Sequence, residues 1–172
     1  MKLDYFRSFA RYNQWANRRL YGACAGLPEA EYMKPRASFF GSLHATLNHI
    51  LVGDRVWMGR LTGHDPGIRA LDQMLYGDLA GLRVAREAED AQIIAFIEGL
   101  DEPTFNTTLR YKTLTGGEAQ ATPVRWVLAH MFNHQTHHRG QAHGLLSQTA
   151  VAPPPLDLIY YLRQTESQTG ST

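Results

Sequence analysis

The residues best suited to chemistry are histidines. Eight occur in the chain, and His130, His134, His137, His138 and His143 are crowded into one stretch. Imidazole is the commonest metal-ligating side chain and the one whose charge changes near neutral pH, so spacing decides what it can do. The run AHMFNHQTHHRGQ has no helix breaker before Gly140, which predicts one helix from Pro123 to about Gln148. At ~100° per residue, with His130 as zero, His134 lies near ~40°, His138 near ~80°, Gln141 near ~20° and His137 near ~−20°. Val124, Val127, Met131, Ala142, Leu145 and Leu146 fill ~60° to ~160° of the same wheel. His134 and His138 therefore border the face to be buried, while His137 looks outward. Two imidazoles one turn apart on an inward face can hold one metal ion.

A third nitrogen must come from another element. Gly41 and Ser42 open a helix running to about Leu61, with Ser42 as its cap. His49 lies on the line of Val52 and Val56, with Gly53 one turn on, whereas His44 is ~140° away. Of this helix's two histidines, only His49 is expected to face the core. His49, His134 and His138 would then form the open, three-ligand arrangement of catalytic zinc sites, with water completing the shell. The alternative for any single core-facing histidine is a hydrogen-bonded structural residue. Two neutral imidazoles in one buried patch, however, leave lone pairs that a cation satisfies well. His130 is expected to support the site or the fold, and Gln141 to pack, meet solvent or hold a water.

The remaining chain supplies the frame. Leu3–Ala25 is a helix by its three- and four-residue apolar steps, followed by a connector with a short helical turn at Glu29–Met33. A long loop from Asp65 to Gly77 leads to a third helix near Leu79–Gly99, whose middle, REAEDAQ, reads as charged and solvent-facing. Phe105–Ala121 reads as a hairpin excursion turning at Thr115-Gly116-Gly117. Thr122 and Pro123 suit the cap and first turn of the histidine helix. A stiff Pro153-Pro154-Pro155 linker precedes a short helix near Asp157–Arg163. Residues 1–165 are thus read as a single domain, and 166–172 have the composition of a disordered tail. Four helices with one long crossover describe an all-α four-helix bundle, a fold that builds metal sites from inward side chains. Trp15, Trp57 and Trp126 are expected in the core or an interface, Cys24 as a small buried apolar residue, and Arg139 in an ion pair or dimer contact. Gly140 costs about 1 kcal/mol in a helix interior, which close helix approach would offset.

Composition narrows the classes. A net charge of +1 argues against a nucleic-acid binder, and 44% hydrophobic with 19% charged residues is that of an ordinary globular domain. The single cysteine forbids an intramolecular disulfide and suggests a reducing compartment. With neither a signal-peptide pattern nor an apolar run of membrane-span length, the expected location is cytoplasmic.

Three stretches resemble the DinB family of damage-inducible-type proteins, unrelated to the DNA polymerase of that name. They are Tyr12-Asn13-Gln14-Trp15-Ala16-Asn17; Leu47-Asn48-His49-Ile50 with Asp54, Trp57 and Leu61; and, most specific, His130 through Gln141. Residues 154 to 159 also look like the family's tail. The resemblance implies a four-helix bundle of up-down-down-up connectivity, frequently a homodimer. It also implies a divalent metal, nickel or zinc, held by His49, His134 and His138. Relatives include thiol S-transferases, which implies a low-molecular-weight thiol cosubstrate and a small electrophilic substrate, or hydrolysis by activated water. The competing expectation is a non-enzymatic, metal-binding stress-response protein.

Overall fold

The structure, a computed structural model, describes residues 2–169. It contains α1 (Leu3–Cys24), α2 (Glu29–Met33), α3 (Leu43–Thr62), α4 (Leu79–Glu98), α5 (Glu102–Phe105), β1 (Thr108–Lys112), β2 (Ala119–Pro123), α6 (Val124–Leu146) and α7 (Leu158–Thr169). Local chemistry sets several ends. Ser42 Oγ accepts from the Ala45 amide at 3.0 Å to start α3, and Asp78 Oδ1 accepts from the Gly81 amide at 2.7 Å to start α4. Gly63, at φ 73°, closes α3 in the left-handed region that an L side chain resists. The expected cap of α6 differs. Thr122 and Pro123 belong to β2, no side chain caps the helix, and the Val124 amide instead donates to the Thr107 carbonyl at 3.0 Å.

Two apolar clusters reveal how the long helices run. One gathers Leu3 and Phe6 from the start of α1, Met58 from the end of α3, Ile97 from the end of α4 and Val127 from the start of α6. The other joins Leu20 of α1, Leu47 of α3, Leu82 of α4 and Leu145 of α6, which are the opposite ends. The helices therefore run up, down, down, up. Because α3 and α4 are parallel, residues 63–78 must return along the whole bundle. Asn48, fully buried, pins this strap: its Oδ1 accepts from the Leu75 and Tyr76 amides at 2.9 and 3.1 Å. Ile68 of the strap packs on Val52 and Val56. Strands β1 and β2 pair antiparallel, Thr108 opposite Pro123 through Lys112 opposite Ala119.

Several expectations are corrected. The REAEDAQ stretch is not wholly solvent-facing, since Arg86, Glu89 and Asp90 are buried. His44 is buried as well, because α2 and the strap cover a second face of α3; Tyr32 Oη and the Tyr76 carbonyl lie 2.9 Å from its two ring nitrogens. Trp126 is 56% exposed, which removes the core from the two places expected for it and leaves the interface. A Cβ on Gly140 would meet open space, so no close helix approach offsets that glycine. Helix α7 outlasts the expected Arg163 and is helical to Thr169; of the anticipated tail, residues 170–172 lie outside the described residues. Among the described residues no helix is long and apolar enough to cross a membrane.

Candidate metal centre

Helices α3 and α6 pack antiparallel and aim three imidazoles at one point. His49 Nε2 lies 3.1 Å from His134 Nε2 and 3.2 Å from His138 Nε2. One ligand atom from each residue falls within 4.8 Å of the others, the only such histidine, cysteine or carboxylate group among the described residues. His130, one turn before His134, is outside this group. Its ring meets Trp57 edge-on at 5.1 Å and lies 5.8 Å from the His134 ring.

The tautomers follow from the outer partners. His49 Nδ1 is 2.7 Å from the Leu71 carbonyl of the strap, and a carbonyl only accepts, so Nδ1 carries the proton. His138 Nδ1 is 2.8 Å from Gln141 Oε1, which fixes it likewise. The other end of that amide, Nε2, is 3.2 Å from His137 Nε2. In their neutral forms His49 and His138 therefore present bare lone pairs to each other at 3.2 Å. His134 has at most one proton to offer between them. A cation at the centre resolves that conflict: nitrogens ~2.0–2.1 Å from a tetrahedral zinc sit about 3.3 Å apart. The residues present thus fit a divalent ion.

Burial keeps the three rings neutral. Loss of solvent lowers the pKa of His134 to about 3, with the neighbouring His138 and His49 adding to the effect. Desolvation also lowers His49 and His138, opposed in part by the Leu71 carbonyl and Gln141 respectively. Phe40 stacks on His49 at 4.0 Å between ring centroids and meets His138 edge-on at 5.4 Å, closing one side. Gly53 makes room on another, since a Cβ there would stand 2.6 Å from His134 Cε1. Sequence spacing anticipated Gly53 only as a neighbour of His49, and gave no sign of Phe40 or the Leu71 carbonyl.

A polar layer lies behind the rings. Arg86 of α4 meets Asp54 at 2.5 Å and Asp90 at 3.0 Å. Gln135 of α6 donates to Asp54 of α3, joining the two helices that carry the histidines. Among the described residues Arg139 makes no ion pair, and it does not lie on the surface. It is buried, and its Nη1 donates to Asn13 Oδ1 at 2.5 Å and Asn17 Oδ1 at 3.2 Å. Two arginines and two aspartates balance in formal charge across this layer, and burial raises the Asp54 carboxyl to about 7.

A cleft of about 310 Å³ opens onto the site, lined by His49, Gly53, His134, Trp57, Arg60 and residues of the strap and hairpin. A larger hollow of about 470 Å³ lies between α1 and α7, away from the triad. There Arg11 is paired with Glu98 and Arg19 with the Pro155 carbonyl.

Fold and site together define a helical-bundle protein with a candidate three-histidine metal centre. A sequence profile of the DinB family matches residues 1–170, and the chain belongs to that family. It is similar to Protein DinB of Bacillus subtilis (strain 168), 27% identical over 96% of this chain and 98% of the relative. A crystal structure of a DinB-like protein from Bacillus cereus ATCC 10987 shares the fold, with a TM-score of 0.65 and 17% identity over 86% of this chain and 94% of that one.

Proposed function

We propose that the protein holds one divalent ion, nickel or zinc, through Nε2 of His49, His134 and His138, and acts as a metalloenzyme on a small electrophile. The observation that carries this reading is the mutual approach of imidazole nitrogens whose protons are already committed elsewhere. When bound, a divalent cation supplies Lewis acidity that lowers the pKa of an adjacent thiol or water. The Leu71 carbonyl and Gln141 hold two rings in the ligating tautomer, the role that outer partners play at histidine metal sites. Phe40 shields the rings from water on one side, and the cleft admits reactants on another. Among the described residues neither cysteine nor carboxylate lines that cleft, so the attacking group comes from a low-molecular-weight thiol cosubstrate or from solvent.

The test begins with elemental analysis of protein purified without an affinity tag or added metal. Stoichiometric metal is expected, lost in His49→Ala, His134→Ala and His138→Ala; unchanged content in these variants would refute the ligand assignment. Conjugation of a small thiol to an electrophile, or its hydrolysis, should then depend on loading. Turnover in neither loaded nor stripped protein would overturn the catalytic part and leave a metal-binding stress protein.

A further inference from the structure

Among the described residues, the cleft carries one permanent charge and no carboxylate lines it. Arg60 lies at the end of α3 with its guanidinium carbon 4.4 Å from the Trp57 ring centroid and 4.7 Å from that of Tyr111. Its Nη2 donates to the Lys112 carbonyl at 3.1 Å, which clamps the hairpin to α3. No ion pair among the described residues uses it. A guanidinium has five N–H donors in a planar fork, so one carbonyl leaves most of them open. From Arg60 the rings of Trp57, His130 and His134 follow along the same wall, at 5.1 and 5.8 Å between successive centroids. Asp72 acts electrostatically on His49 from the strap, but it is exposed and does not line the cleft.

We propose that Arg60 anchors a carboxylate on the small molecule that enters this cleft, so that the ligand lies along the aromatic wall with its other end at the triad. This rests on the function proposed above for its reactive end. The anchor itself is a property of the protein alone. Arginine suits the role because its fork matches a carboxylate in two parallel hydrogen bonds. The flanking rings hold the fork in one plane before the ligand arrives.

Three probes separate the possibilities: 6-mercaptohexanoate, whose chain is long enough to follow the aromatic wall, the uncharged 6-mercaptohexanol, and succinate, which has no thiol. In metal-loaded protein, calorimetry should show 6-mercaptohexanoate binding more tightly than 6-mercaptohexanol. Arg60→Gln should cut the first affinity by about tenfold or more and leave the second unchanged, as expected for loss of a charged hydrogen-bonded pair. In metal-free protein, succinate should shift the Trp57 indole N–H resonance in the wild type, while its neutral diamide should not. That comparison needs no substitution and survives a misfolded variant. Equal binding of the charged and neutral members in both pairs would overturn the anchor. Absence of metal uptake would refute the metal site, yet the succinate arm would still report on Arg60.

Discussion

At the scale of single residues, the triad's character comes from where its protons are kept. Gln141 Oε1 holds the Nδ1 proton of His138. Gln141→Leu should weaken metal binding by roughly 10–100-fold, the usual cost of losing such a partner, as read by competition with a chromogenic chelator. An affinity equal to wild type would show that the amide does not orient the ring. Burial adds a pH signature. The folded pKa values lie below the ~6.5 of free histidine, so between those values the unfolded chain binds more protons than the native one. Metal-free protein should therefore lose stability as pH falls through ~6.5. Metal uptake should fall less steeply there than it would for free imidazoles, because burial already disfavours protonation of the rings. Titration with zinc at pH 7.5 and 5.5 checks this; three unshifted imidazoles would together lose about a thousandfold in affinity per pH unit below 6.5.

At the scale of elements, the register of α3 against α6 decides whether the rings meet. Gly53 sits where the two helices crowd, and a methyl there would stand 2.6 Å from His134 Cε1. Gly53→Ala should improve helix propensity by roughly 1 kcal/mol and still turn the His134 ring out of line. Circular dichroism should be unchanged while metal affinity drops. Element positions were largely legible beforehand: the Ser42 cap and the 3.6-residue stripe place α3 and α6 within a residue or two. The wheels of the two helices put His49 on the core side of α3 and His134 and His138 at the border of the buried face of α6. They failed where burial depends on long-range partners. His44 and the Arg86, Glu89 and Asp90 face of α4 are polar by residue type, and only the fold supplies their hydrogen bonds and countercharges. The Leu71 carbonyl is invisible to sequence reading because every residue has one.

At the scale of the whole molecule, a layer of buried ionic groups sits between the two apolar clusters of the bundle. Removing one member leaves its partners dry and without a countercharge. Arg86→Met would leave Asp54 and Asp90 without their shared cation, and about 3–5 kcal/mol should be lost. Urea unfolding measures that directly; a loss below about 1 kcal/mol would mean that other donors already neutralise the pair.

Connectivity also matters. The acceptor that orients His49 belongs to the strap, which runs along the bundle only because α3 and α4 point the same way. A rewired chain joining antiparallel helices by tight turns could pack the same four cylinders, yet nothing would pass over that imidazole to take its proton. The path of the backbone, as much as the choice of side chains, determines which nitrogen of His49 faces inward.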